Sequence, residues 1–120
     1  VRYLYIDTPE TKKPGENKKC YGLEATKANQ KLVQNQQVWL IPDKSDTDRY
    51  QRKLRLIFLS PKDIDTPEKS VNAILVKNGF ARSTFYKPDV THQDLFLEIQ
   101  TSAQQNQVGI WGKCKNPFTE

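Results

Sequence analysis

The sequence predicts a single domain of the α+β class. Three observations carry this expectation. Its 120 residues leave room for one modest core. Three stretches repeat their apolar residues at helical spacing, and shorter stretches between them read as extended chain. In chain order, Val1 to Ile6 alternates loosely and is expected to form the first strand. Lys12 to Lys19 reads as a loop, with Pro14, Gly15 and Asn17 among lysines and no apolar residue. Tyr21-Gly22 opens a helix through about Asn35, because Ala25, Ala28, Leu32 and Val33 fall on one face. Val38 to Ile41 predicts a short buried strand and Pro42 to Thr47 a polar turn. Leu54 to Leu59 is the next strand, with Leu54, Leu56 and Phe58 on one side and Arg55 and Ile57 on the other.

The second helix is expected to begin at Thr66 as N-cap, with Pro67 in the first turn and Glu68 near the positive end of the helix dipole. Val71, Leu75 and Val76 face inward, and Gly79 stops the helix. Phe80 to Tyr86 reads as extended. Thr91 is expected to cap a third helix that runs to about Gln107, with Asp94 near its start and Leu95, Ile99 and Ala103 in line. Val108 to Gly112 forms an apolar tail that packs back on the body.

Composition narrows the partners. Hydrophobic residues make up 36% of the chain and the net charge is +5, which favours a polyanionic partner. No apolar run approaches the roughly 18 residues that cross a bilayer, so no membrane span is expected. The chain has no methionine and opens inside a predicted strand. Val1 is therefore read as lying within a longer chain, and the lack of a leader says nothing about export. Cys20 and Cys114 lack zinc-site spacing. Their even number permits either one disulfide, stabilising by up to ~4 kcal/mol, or two free thiols.

The densest chemistry lies in Asp7-Thr8-Pro9-Glu10-Thr11, with Arg2 upstream and Asp48-Arg49-Tyr50-Gln51-Arg52 further on. Cleaving a phosphodiester requires a water that is oriented and deprotonated, charge neutralised on the phosphoryl oxygens, and a stabilised leaving oxygen. Carboxylates can hold a hard cation or act as base, and arginine forks match pairs of phosphoryl oxygens. In a regular strand, Arg2 and Asp7 would point to opposite faces unless the strand bulges. Asp65-Thr66-Pro67-Glu68 repeats Asp7-Thr8-Pro9-Glu10 letter for letter. It leads into an amphipathic helix, so it is assigned to capping and the chemistry to the first copy.

Ordered blocks along nearly the whole chain carry a resemblance: Val1-Arg2 through Ile6-Asp7-Thr8-Pro9-Glu10-Thr11, Tyr21-Gly22-x-Glu24-Ala25, Asp48-x-Tyr50-x-Arg52, Val71-Asn72-x-x-Leu75-Val76-x-x-Gly79, Tyr86-Lys87-Pro88, Thr91-His92 and Ile110-Trp111. The sequence resembles the staphylococcal nuclease (thermonuclease) family. The resemblance implies a small five-stranded OB-type barrel with three helices and calcium-dependent hydrolysis of DNA and RNA to 3′-phosphate products. It assigns Asp7 as a Ca2+ carboxylate ligand, Thr8 as a ligand through its carbonyl and Glu10 as the base that orients water. Arg2 and Arg52 become the phosphate-binding arginines, Arg52 also stabilising the leaving oxygen. Tyr50 and Tyr86 match positions that flank the nucleotide, a buried core role being the competing reading. Arg49 and Lys87, in the same blocks, are assigned to substrate binding with them.

Thr84 stands where the family often has a tyrosine and Gln51 where it usually has glycine, which implies altered nucleotide contacts and loop shape. His92 is read as structural. Lys12, Lys13, Lys18 and Lys19 could hold a nucleic-acid backbone. Extracellular members often carry cysteines near these positions, which implies a Cys20–Cys114 disulfide and a secreted or cell-surface protein. One departure matters. The family's barrel begins upstream of the residue matching Val1, and its second calcium-binding aspartate lies there. The resemblance therefore implies an upstream segment, or a second chain, that completes barrel and metal site. The alternatives are a module that grips nucleic acid or protein without cutting, and a structural fragment.

Overall fold

The computed structural model describes residues 1–9 and 20–114. Glu10 and the four lysines at 12, 13, 18 and 19 lie outside them. The expected first strand is two. β1 (Arg2–Tyr3) pairs in parallel with β4 (Leu54–Phe58), while β2 (Ile6–Asp7) pairs antiparallel with β5 (Arg82–Ser83). The break lies at Tyr5, whose φ of 69° is left-handed. The chain turns there from one sheet to the other, which is the bulge a simple alternation pattern does not reveal.

β3 (Trp39–Ile41) pairs antiparallel with β4, giving a three-stranded sheet in the order β1-β4-β3. β3 was expected to be buried. It is instead an edge strand, and Leu40 is exposed. β4 is central, and its residues Leu56, Ile57 and Phe58 are all buried. Among the described residues the two sheets do not close into a barrel.

Helix α1 (Gly22–Val33) follows the predicted pattern. Ala25 is buried, and Ala28, Leu32 and Val33 pack against the core. Helix α2 (Val71–Lys77) starts later than expected. Thr66 makes no side-chain cap, and Pro67–Lys69 is a separate turn of 3-10 helix. The cap is Ser70, whose hydroxyl accepts the Ala73 amide at 3.0 Å. Helix α3 (Gln93–Gln105) buries Phe96 and Ala103, and Thr91 is not its cap, its hydroxyl being drawn to Asp43. The apolar tail forms a fourth, one-turn helix, α4 (Ile110–Lys113), anchored by buried Ile110 and by its amide bond to the Gly79 carbonyl at 2.8 Å. Gly79 has a φ of +76°, and a β-carbon there would meet the Val108 carbonyl oxygen at 2.2 Å, so only glycine fits this crossing.

The core lies between the strands and α2, where Val71, Leu75 and Val76 meet Phe58, Ile6 and Phe96. Asn72 sits in the middle of it with no exposed surface. Its amide donates to the carbonyls of Leu4 (2.9 Å) and Arg55 (3.1 Å), and its oxygen accepts the Ile57 amide (3.0 Å). The Arg55 carbonyl also accepts the Leu4 amide at 2.9 Å, and beyond that bond the side chain satisfies the Leu4 carbonyl and the Ile57 amide.

A second polar knot joins the 42–47 turn to the chain before α3. Asp43 accepts from the Tyr5 hydroxyl and from the amide and hydroxyl of Thr91. The His92 ring stands edge-on to Tyr5 with centroids 6.0 Å apart, the structural role expected of it. Burial and the bond to Asp43 push the Tyr5 phenol up from its ordinary range, so it stays a neutral donor. Desolvation works against the charged form of Asp43, but the hydrogen bonds from Thr91 and Tyr5 and the charge of His92 outweigh it and hold the carboxyl below its ordinary value. Cys20 and Cys114 are disulfide-bonded, with Cα atoms 5.9 Å apart.

Two outcomes follow. Asn72→Ala strands the buried Leu4 carbonyl and Ile57 amide and should cost about 2–4 kcal/mol, a fall in melting temperature of roughly 10 °C. A variant melting within two degrees of the parent would show that Asn72 does not hold the strands. Asp43, depressed in the folded state, contributes stability that is present above its unfolded value of about 3.9 and lost as pH falls through the folded value. The melting-temperature gap between parent and Asp43→Asn should therefore be largest near neutrality and shrink below about pH 4. A gap independent of pH would assign the effect to shape instead of charge.

Candidate nucleic-acid cleft

Parallel pairing of β1 with β4 brings together two arginines that lie far apart in sequence. Arg2 lies in register with Leu54, and its amide bonds to the Lys53 carbonyl at 2.7 Å. Arg52 precedes Lys53 directly. Both arginines line a cleft of about 590 Å³ between β1, the 45–52 loop and the 84–89 segment. Arg49, Tyr50, Tyr86 and Lys87 line it too. Tyr50 and Tyr86 are 64% and 73% exposed, which rules out the core role and leaves their rings available to a ligand.

The 48–52 loop is organised by one carboxylate. Asp48 Oδ1 accepts the amides of Tyr50 (2.8 Å) and Arg52 (3.0 Å), and Oδ2 accepts Arg52 Nε at 2.7 Å. Desolvation opposes the charge on Asp48, yet these bonds from Arg52 and Tyr50 hold its carboxyl below the ordinary range. Gln51, in the place usually taken by glycine in the resembling motif, adopts a left-handed φ of 67°, so the tight loop forms without glycine. The guanidinium carbons of Arg49 and Arg52 lie 4.9 and 5.4 Å from the Tyr50 ring centre, close enough for cation–π attraction.

The opposite wall is held by Asp89, which is 6% exposed and accepts the amides of Lys44 (2.9 Å) and Ser45 (2.8 Å). That carboxylate straps the segment carrying Tyr86 and Lys87 to the turn that leads into the 48–52 loop. Sequence reasoning gave no role to Asp48, Asp89 or Arg82. The first had a local signal, an aspartate two and four residues before the amides it accepts. The strap had none, because Asp89 and its partners are distant in the chain.

Asp7 lies beyond the Tyr5 break, outside the lining of the cleft. Its Oδ2 accepts Arg82 Nη2 at 3.1 Å, an ion pair in which both side chains are 40% exposed. Thr8 follows it at the surface. Calcium takes six to eight oxygens. Among the described residues no three His, Cys, Asp or Glu side chains stand together as a metal set. Two oxygens, from the Asp7 carboxylate and the Thr8 carbonyl, would fill only part of such a shell. The arrangement is a basic, aromatic-flanked cleft suited to a phosphate backbone and its bases.

Comparisons with known proteins identify the family of the chain. The family model described as staphylococcal nuclease homologue matches residues 1–113. The chain is 38% identical over 115 residues to the SPbeta prophage-derived endonuclease YokF of Bacillus subtilis (strain 168), covering 94% of this chain and 36% of that protein. It is 37% identical over 115 residues to endonuclease YncB of the same organism, covering 94% of this chain and 51% of that protein. It is 35% identical over 111 residues to the thermonuclease of Staphylococcus hyicus, covering 92% of this chain and 62% of that protein. The chain thus spans between about a third and three-fifths of the length of these relatives. With a match along nearly its whole length, this chain belongs to the staphylococcal nuclease homologue family.

Proposed function

We propose that the chain is a calcium-dependent endonuclease segment that hydrolyses DNA and RNA to 3′-phosphate products. The observation that carries this reading is the convergence of Arg2 and Arg52 on one cleft flanked by exposed Tyr50 and Tyr86. The relatives named as endonucleases and thermonuclease support it.

In this reading a phosphodiester lies between the two guanidiniums, and Tyr50 and Tyr86 meet the nucleotide on either side. Glu10, outside the described residues, orients a water and takes its proton as the oxygen attacks phosphorus. The bond from phosphorus to the 5′ oxygen breaks, leaving the phosphate on the 3′ oxygen. Arg2 and Arg52 bind the charge that grows on the phosphoryl and leaving oxygens. Asp7 and the Thr8 carbonyl contribute to a calcium site, where the ion would neutralise phosphoryl charge. The disulfide supports a further part of the reading, a secreted or cell-surface location, since such bonds persist in oxidising compartments. The family's small five-stranded OB-type barrel is the architecture we propose for the domain.

A second reading is a module that binds nucleic acid without cutting it. The ion pair between Asp7 and Arg82 favours it, because it engages the one assigned carboxylate ligand among the described residues. Cleavage of a labelled duplex and of a single-stranded RNA, in calcium and in chelator, separates the two. Calcium-dependent nicking that stops on chelation supports the nuclease. Tight binding with no cleavage in either condition selects the module, and cleavage undiminished by excess chelator removes calcium from the account.

The arginines give a sharper test. Arg52→Ala and Arg2→Ala should each lower kcat on the order of 10²-fold or more, with a smaller change in DNA affinity, because the forks act on charge that develops in the transition state. A variant altered only in KM would show uniform substrate binding instead.

A further inference from the structure

We infer that Asp48 is a positioning residue that aims the Arg52 guanidinium at the scissile phosphate before substrate arrives. This rests on the reading of Arg52 as a phosphate ligand. The two oxygens of Asp48 do separate work. Oδ1 closes the loop by accepting the Tyr50 and Arg52 amides, and the backbone seals the same loop through the Asp48 amide on the Arg52 carbonyl at 2.9 Å. Oδ2 takes only Nε of Arg52, at 2.7 Å. An arginine has five N–H donors in a planar fork. With Nε engaged, the end bearing Nη1 and Nη2 is left open, and neither nitrogen hydrogen-bonds another described residue. That end is the one able to take two phosphoryl oxygens side by side.

The ring of Tyr50 lies 5.4 Å from the guanidinium carbon, so the fork meets a carboxylate on one side and an aromatic ring on another. The ordinary account, a stabilising surface ion pair, explains little. The Arg52 side chain is 52% exposed, and exposed pairs add little to stability. Fixing a long, rotamer-rich side chain in one orientation matters far more to a reaction that depends on alignment.

Asp48→Asn separates the two oxygens' roles. Its carbonyl can still accept the loop amides, while its NH2 faces Nε as donor against donor. Asp48→Ser is a second variant that can keep the local turn but lacks the second oxygen. With a short DNA duplex as probe, Asp48→Asn should lower kcat by between about 10- and 100-fold. KM and melting temperature should stay near those of the parent. In an Arg52→Ala background, Asp48→Asn should change kcat less than about twofold, because the group it positions is gone.

Equal losses in both backgrounds would overturn the proposal, as would an unchanged kcat in the Asp48→Asn protein. Arg52→Ala measured alone isolates the underlying assignment: a full kcat there overturns Arg52 as phosphate ligand, and the role of Asp48 with it. One reading needs neither a folded variant nor turnover. In the unaltered protein the Arg52 Nε–H should give a dispersed, exchange-protected NMR signal. A signal at the averaged position of free arginine side chains would overturn the proposal.

Discussion

The meeting of Arg2 with the Arg52 loop depends on the buried amide of Asn72, which holds the chain after β1 against β4. β1 and β4 pair over only two residues, with one more backbone bond from the Leu4 amide to the Arg55 carbonyl, before the chain turns away at Tyr5. A two-residue parallel pairing has little strength of its own. Asn72 reaches up from α2 and continues the pairing where the strand leaves off, holding Leu4, Arg55 and Ile57 with one side chain. Because α2 carries the residues at the centre of the core, the amide ties the sheet's register to the packing of the molecule. Arg2 owes its place beside the Arg52 loop to that register.

Three carboxylates assemble the cleft, two of them, Asp48 and Asp89, within its own lining. Asp48 shapes one wall, Asp89 fastens the other to the turn between them, and Asp43 locks the same turn to Tyr5 and Thr91. A basic protein thus uses acidic groups here to accept backbone amides, and they share the lining with the guanidiniums and the exposed aromatic rings. Such a wall is set before binding, so less order has to be gained when a nucleic acid arrives.

The helices were legible because each has a repeating apolar face, and α1 and the inward residues of α2 stand as read. Arg2 and the 48–52 cluster stood out by their chemistry alone, but their meeting in one cleft with Tyr86 and Lys87 was legible only through whole-chain resemblance, since Arg2 and Arg52 share no local pattern. What misled the reading was local chemistry with two outlets. Thr66-Pro67 is a strong helix start, but it begins a 3-10 turn, and Ser70 caps the true helix. Thr91 looked like a cap, but its hydroxyl satisfies Asp43 instead. The run from Val1 to Ile6 alternates like one strand, and nothing in the letters marks Tyr5 as the point where a side chain accepts left-handed geometry. Long-range straps such as Asp89 leave no trace in sequence spacing.

The disulfide gives the chain a covalent topology with a mechanical meaning. It closes residues 20–114 into a ring that contains, among the described elements, every helix and the strands β3, β4 and β5. β1 and β2 stand outside the ring. Tension entering through the first residues is borne by the short pairings of these two strands before it reaches anything the ring encloses. Under pulling, Arg2 and Asp7 are therefore the parts of the site that leave first, while Arg52, Tyr50 and Tyr86 remain on a body that cannot be drawn out past its own crosslink.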